Sequence, residues 1–321
     1  MSESKIDYCD ETWNVFIGCS ACSPGCKGCY ARREEDGRFR HLGRCRTPGN
    51  QHGDWTCKEE LDQQREAGKP YFVRGPVYQG DKVLERPLHW RKGRTIFVCS
   101  RSDLYHEDIR FGQIDRVKAV MASCPQHQFL VLTKRAERMA EYHAEPERSA
   151  LVWDAEALLP GYLDRELAGG LWPLPNVGLG VTVCNQEEAD AKIPLLLACP
   201  AAMRFVSIEP LLSEINLADP GKVFVDRVDM DDYVKMGHHN SPQLALDFLI
   251  VGCESGKDRR RCEMDWVRSI VDQCKAASVP CFVKQLDIGG KVSHEMAEWP
   301  EDLRVRELPA VLARTGRQEG E

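Results

Sequence analysis

Residues 18–30 read GCSACSPGCKGCY and place four thiols, Cys19, Cys22, Cys26 and Cys29, within eleven positions. Two triplets overlap in this stretch: Cys19, Cys26 and Cys29 are spaced C-x6-C-x2-C, and Cys22, Cys26 and Cys29 are spaced C-x3-C-x2-C. Thiols this dense suit a metal ion, a disulfide or an iron–sulfur cluster. A structural zinc takes four ligands, usually from two separated knuckles, because one short loop closes a tetrahedron with difficulty. A cubane cluster held by three thiolates fits a single loop better and leaves one iron open for a guest. Gly25 and Gly28 let the backbone wrap closely, and Pro24 stiffens the turn. Two zinc arrangements stay open: a four-thiolate site in the loop, and a knuckle completed by Cys45 and Cys57.

The chain as a whole has 321 residues, fifteen of them cysteine, and a formal net charge of −7. The polar, acidic start MSESKIDYCDETW shows no basic region followed by an apolar run, so no secretory signal is expected. No apolar run approaches the roughly 20 residues of a membrane helix. These features predict a cytoplasmic protein with no membrane partner. In that reducing compartment clustered cysteines bind metal more readily than they cross-link. Cys99, Cys124, Cys184, Cys253, Cys274 and Cys281 lie in or beside apolar stretches and read as small buried hydrophobes. The negative charge argues against gripping nucleic acid by bulk electrostatics. RKGR at 91–94, TKR at 133–135 and DRRRC at 258–262 remain as local basic groups.

The elements that must position the thiols follow a rhythm of apolar run, polar cluster and amphipathic, helix-like stretch, as where MRFVSI leads into EPLLSEI. The runs are TIFVCS (95–100), QFLVLT (128–133), VGLGVTV (177–183), MRFVSI (203–208), LDFLIVG (246–252) and PCFVKQ (280–285). TWNVFIG (12–18) supplies a first strand leading into the cysteine loop. Runs that are nearly all apolar, rather than alternating, predict parallel strands covered on both faces. The pattern predicts an α/β protein, an incomplete (β/α) barrel of about six or seven parallel strands. A single domain is expected over 1–290, with the cysteine loop at 19–29. Insertions are expected at about 31–94 and 216–245, and a C-terminal extension at 291–321 whose end, ARTGRQEGE, is disordered. A dinucleotide fold is disfavoured, since no G-x-G-x-x-G follows the first strand.

The carboxyl ends of these strands, where βα barrels place their chemistry, carry many polar residues. Ser100, Ser102 and Asp103 follow one strand, and Thr133, Lys134 and Arg135 the next. Thr182 and Asn185, Ser207 and Glu209, Glu254 and Ser255, and Lys284 and Gln285 complete the set. They are expected to converge on one mouth with the cysteine loop. His106 and Glu107, in DLYHED, have the chemistry of an acid or base, and equally that of a helix start. Cys45 and Cys57, with His41 and His52, are candidates for a second metal.

Seven segments, ETWNVFIGCSACSPGCKGCYA, IFVCSRSDLYHED, FLVLTKRAERM, WPLPNVGLGVTV, RFVSIEPLL, LIVGCESG and CFVKQ, together resemble the phage- and bacteria-associated three-Cys-motif family of radical-SAM-like proteins. The likeness runs in order from about residue 6 to residue 290. That family's T-W-N…G-C-x6-C-x2-C-Y pattern lands on Cys19, Cys26 and Cys29. Cys22 is an added thiol where the family usually has an aliphatic residue, and it stands as the alternative ligand. The resemblance implies a [4Fe–4S] cluster and S-adenosyl-L-methionine as cofactors. The amino and carboxylate groups of the latter would chelate the open iron, and reduction would release methionine and a 5′-deoxyadenosyl radical. It further implies that Lys134 or Arg135 pairs with the cofactor carboxylate, and that Ser100, Asp103 and Ser207 contact its amine or ribose. Tyr30 would pack on the adenine, and Glu209, Glu254 and Lys284 become the catalytic candidates. The implied partners are a flavodoxin- or ferredoxin-type electron donor and a nucleic-acid substrate, base modification or repair, delivered by a partner protein. Two other classes are weighed beside this one. They are a zinc-stabilised module that binds nucleotide or protein without redox chemistry, and an iron–sulfur repair or redox protein that does not use S-adenosylmethionine.

Overall fold

The computed structural model describes residues 6–31, 75–159, 171–217, 246–256 and 258–313. Ten strands are present among them. They are β1 (Glu11–Trp13), β2 (Phe16–Ile17), β3 (Val77–Tyr78), β4 (Thr95–Val98), β5 (Gln128–Thr133), β6 (Val177–Thr182), β7 (Met203–Ile208), β8 (Phe248–Gly252), β9 (Cys281–Ile288) and β10 (Lys291–Ser293). The helices are α1 (Asp81–Leu84), α2 (Phe111–Ala122), α3 (Ala136–His143), α4 (Arg148–Glu156), α5 (Gln186–Ala198), α6 (Met264–Ala276) and α7 (Ala310–Ala313). Eight strands form one sheet in the order β1-β4-β5-β6-β7-β8-β9-β10. The first seven are parallel and β10 returns antiparallel to β9. Each parallel strand therefore lies beside its sequence neighbour in the sheet.

Alternation along the strands separates two cores. Ile96, Val98, Phe129, Val131, Leu179, Val181, Val206, Leu249, Val251 and Val283 pack with the helices. Phe97, Leu130, Met203, Phe205, Phe248, Ile250 and Phe282 face the other way and gather with Tyr8. On that second face β6 places Gly178 and Gly180 against β7, and a Cβ there would meet the Met203 side chain and the Phe205 ring. The large residues of β7 thus fill the space that β6 leaves. Tyr8 also reports curvature. Its ring lies 6.1 Å from that of Phe97 on β4 and 5.8 Å from that of Phe282 on β9. Five strand spacings in a flat sheet would separate those strands by about 24 Å. One tyrosine reaches both, so the sheet is strongly curled.

Several sequence expectations change. TWNVFIG is not one strand: β1 ends at Trp13, and β2 leaves the sheet to pair with β3. The break falls at Asn14, whose Oδ1 accepts from Ser100 Oγ (3.1 Å) and the Arg101 N–H (2.9 Å), bending the chain toward the end of β4. EPLLSEI after β7 forms no helix. Its backbone N–H groups turn sideways instead, Leu211 to Gly252 O (3.0 Å) and Leu212 to Cys184 O (2.9 Å). Residues 75–94, at the end of the stretch read as an insertion, belong to the body: Leu84 is buried, and Trp13 Nε1 donates to Val83 O (2.8 Å). The extension from 291 packs on the sheet through Trp299 and Leu303, both buried. Residues 32–74, including Cys45, Cys57, His41 and His52, lie outside the described residues, as do 218–245 and 314–321. Among the described residues no helix is long and apolar enough to cross a membrane.

Candidate functional site

The carboxyl ends of the parallel strands open into one cleft with a cavity of about 190 Å³. Cys19, Cys26, Cys29 and Tyr30 line it from the cysteine loop. Ser100, Ser102 and Asp103 come from beyond β4, and Thr133, Lys134 and Arg135 from the end of β5 and just past it. Thr182, Ser207, Glu209, Glu254, Ser255, Lys284 and Gln285 close the far wall. Its floor is apolar, built of Ile6, Tyr8, Phe97 and Leu132. Cys22 and Asn185 stand apart from the other loop and strand-end candidates. Cys22 is exposed and does not line the cleft. Asn185 is the N-cap of α5, its side chain accepting from the Glu188 N–H at 2.9 Å.

Hydrogen bonds from two later segments fix the cysteine loop. Ser20 donates its backbone N–H to His106 Nε2 (3.2 Å), and its Oγ lies 2.8 Å from the same nitrogen. Arg135 donates through Nη2 to Ser20 O (3.0 Å) and Oγ (2.8 Å), and through Nη1 to Cys19 Sγ (3.5 Å). The Gly18 N–H donates to Arg101 O (3.1 Å), Ser102 Oγ donates to Gly18 O (2.6 Å), and Tyr30 donates its hydroxyl to Ser100 O. His106 is thus a brace outside the cleft, in a turn before α2. Burial, then Arg135, lowers its pKa and favours the neutral ring. Glu107 is exposed and pairs with Arg135 Nε at 2.8 Å.

Asp103 is the peg of this arrangement. Oδ1 accepts from the Tyr105 N–H (3.0 Å) and Thr133 Oγ1 (2.7 Å), and Oδ2 from the Lys134 N–H (3.0 Å) and Arg135 Nη1 (3.3 Å). Its acceptors are spent on the protein. Arg135 is similarly consumed. Among the described residues Lys134, by contrast, reaches only Thr182 Oγ1, at 3.5 Å, and makes no ion pair. Burial works against its charge, but the neighbouring sulfurs of Cys29, Cys26 and Cys184, with Asp103, hold its pKa above the ordinary lysine value. Of the two cations proposed for an anionic guest, Lys134 has the unspent charge.

Close approach by the loop depends on its glycines. A Cβ on Gly25 would meet Cys184 Sγ at 2.6 Å, and one on Gly28 would meet Glu254 Oε1 at 2.1 Å. Glu254 is itself held by Arg260, which donates to Oε2 from its backbone N–H (2.7 Å) and Nε (3.0 Å). Opposite, Lys284 Nζ lies 3.0 Å from Glu209 Oε1, and Ser207 Oγ donates to Glu209 Oε2 at 3.1 Å. The thiols differ among themselves. A hydrogen bond from Cys22 lowers Cys26 to about 5 and in turn raises Cys22. Burial, followed by Asp103, pushes Cys19 up to about 12.

Cys99 and Cys253, read from sequence as core residues, are buried and also line the cleft. Each directly follows its strand, Val98 of β4 or Gly252 of β8, and that position was the signal available in the sequence. Among the described residues no three His, Cys, Asp or Glu side chains are gathered around a point that would hold a single metal ion. A family model described as a protein of unknown function, DUF5131, matches residues 3–313. No curated protein and no solved structure matches the chain.

Proposed function

The chain belongs to the DUF5131 family, and we propose that it is a radical S-adenosylmethionine enzyme on an incomplete (β/α) barrel, of the kind its three-Cys-motif resemblance implies. The observation that carries the reading is the sorting of the four loop thiols. Cys19, Cys26 and Cys29 line the cleft, whereas Cys22 is exposed. That is the C-x6-C-x2-C set, three sulfur donors facing a cavity that also holds the strand-end polar residues. The donor chemistry fits a [4Fe–4S] cluster with one iron left for a guest. Cys19, Cys26 and Cys29 would hold it. When bound and reduced, such a cluster supplies the electron that splits S-adenosylmethionine into methionine and a 5′-deoxyadenosyl radical, which takes hydrogen from a substrate.

The chain's own residues position, shield and recognise. Lys134 offers an unspent cation beside the thiols for the cofactor carboxylate, a charge-assisted contact. Asp103 holds the Lys134 backbone and Arg135 in place, and Arg135 with His106 anchors the loop at Ser20. Tyr30 stands at the rim, exposed enough to cover a planar group. Ser100 and Ser207 offer hydroxyls to an amine or ribose. The Glu209–Lys284 pair faces the substrate side, with Glu254 fixed at the edge by Arg260. Tyr8, Phe97 and Leu132 make a dry floor, which limits quenching of a reactive intermediate by water. We assign the protein to the cytoplasm, with a flavodoxin- or ferredoxin-type donor. The substrate class is nucleic acid, and the overall negative charge favours delivery by a partner protein.

The contact between Cys22 and Cys26 favours one rival, a zinc ion held by all four thiols in a binding module without redox chemistry. Anaerobic purification followed by dithionite reduction with S-adenosylmethionine tests the choice. Formation of 5′-deoxyadenosine, lost in Cys26→Ala, supports the proposal. Brown protein that forms none points to an iron–sulfur protein of another kind, and colourless zinc-loaded protein to the binding module.

A further inference from the structure

A second polar site lies on the helix side of the sheet, away from the cleft. Lys118, in the middle of α2, is 2% exposed, and His143, the last residue of α3, is 9% exposed. Both line a small cavity with Trp172, Leu174, Val177 and Ala201. Lys118 makes no hydrogen bond or ion pair among the described residues. His143 Nε2 lies 3.2 Å from the Tyr105 hydroxyl, while its Nδ1 is buried with no partner among the described residues. A buried ammonium with no counter-charge is costly, and native proteins rarely leave one.

Among the described residues no carboxylate is placed to neutralise it. Asp115, one turn earlier on α2, is taken by Arg148 (3.1 Å) and by the Tyr142 hydroxyl (2.8 Å). Cys199 faces Lys118 from beyond α5, but its thiol donates to Leu195 O (3.2 Å), and burial pushes its pKa up to about 11. Arg148 on α4 adds positive potential at His143. Among the described residues the buried Tyr105 hydroxyl has no other acceptor, so we assign its proton to the bond with Nε2, which places the imidazole proton on Nδ1. The polar side chains lining the cavity are then both donors, Lys118 and His143, set among apolar ones. Its volume, about 10 Å³, admits one atom-sized guest. Water there would accept from both donors but find no acceptor side chain among the described lining residues for its own hydrogens. An anion has none to place.

We infer that Lys118 and His143 form a buried binding site for a single small anion of the halide class, set between α2, α3 and the approach to β6. The guest supplies the counter-charge that the fold withholds from Lys118. The site stands independently of the chemistry in the cleft, and its test needs no cluster. The full chain is unfolded thermally in sodium chloride, in sodium bromide and in sodium gluconate of equal ionic strength, as wild type and as Lys118→Met. The expected result is a halide-specific rise in the wild-type midpoint that grows with halide concentration and saturates, and that the variant lacks. Equal midpoints in halide and gluconate for the wild type, or an undiminished halide effect in the variant, overturn the assignment. Should the variant not fold, wild-type crystals soaked in bromide decide. An anomalous peak between Lys118 and His143 upholds the site, and its absence overturns it.

Discussion

Replacing Asp103 by asparagine tests whether one buried carboxylate organises the cysteine loop from a distance. Asp103 is 5% exposed and accepts four hydrogen bonds, two at each oxygen. Asparagine keeps one acceptor for Tyr105 and Thr133. Its amide then faces the Lys134 and Arg135 N–H groups, so donor meets donor and Arg135 loses its buried counter-ion. Removing one partner of a buried ion pair costs about 3–5 kcal/mol. The lower end applies, because Arg135 keeps Glu107, whose side chain is 60% exposed and so only weakly compensating. With a urea slope of about 3 kcal/mol/M, a loss of about 3 kcal/mol lowers the urea midpoint by about 1 M. A second readout isolates the loop. Arg135 Nη1 is 3.5 Å from Cys19 Sγ and also holds Ser20, so Cys19 in the metal-free chain alkylates faster in Asp103→Asn. An unchanged midpoint together with an unchanged Cys19 alkylation rate refutes the reasoning.

Other outcomes follow from the same geometry. Alanine at Cys19, Cys26 or Cys29 abolishes iron binding, whereas Cys22→Ala retains it; equal iron loss in all four variants, by metal analysis after anaerobic reconstitution, contradicts the three-ligand assignment. Lys134→Met leaves the urea midpoint within about 0.5 M of wild type but weakens S-adenosylmethionine binding at least tenfold by calorimetry, about 1.4 kcal/mol for the lost charge-assisted contact. In halide-free buffer the buried Lys118, lowered by desolvation from 10.5 to about 7, makes stability pH-dependent. The folded state binds fewer protons than the unfolded one between those values, so wild-type stability rises from pH 7 toward 10.5. Lys118→Met lacks that slope. The variant is the more stable of the two at pH 7 and below by up to about 5 kcal/mol, and chemical denaturation at pH 6.5 and 9.5 measures the convergence.

Six of the strands were legible because their runs are nearly all apolar, the mark of parallel strands covered on both faces. Their sequential order also follows, since each is joined to the next by a helix or a loop. The ribbon of β2 and β3 was not legible: its two-residue strands lie sixty positions apart and owe their pairing to the bend at Asn14. EPLLSEI misled for a related reason, its backbone donors being drawn to Cys184 just past β6 and to Gly252 of β8 rather than along a helix. In the site, the polar residues after each strand could be read because topology alone brings strand ends together. The roles within that set could not. Arg135 and Lys134 are adjacent and chemically alike in sequence, yet one is spent on Asp103, Glu107 and Ser20 and the other faces the cleft. His106 was read as an acid, a base or a helix start. It is a brace on Ser20, a contact across 86 positions that no local pattern announces.

The central claim, that three loop thiols carry a cluster with an open corner, meets its most direct test in electron paramagnetic resonance of the anaerobically purified, dithionite-reduced chain. The account predicts about four irons and four sulfides per chain and a reduced-cluster signal that changes shape when S-adenosylmethionine is added. One zinc per chain bound by all four thiols, with no signal in either condition, would contradict it.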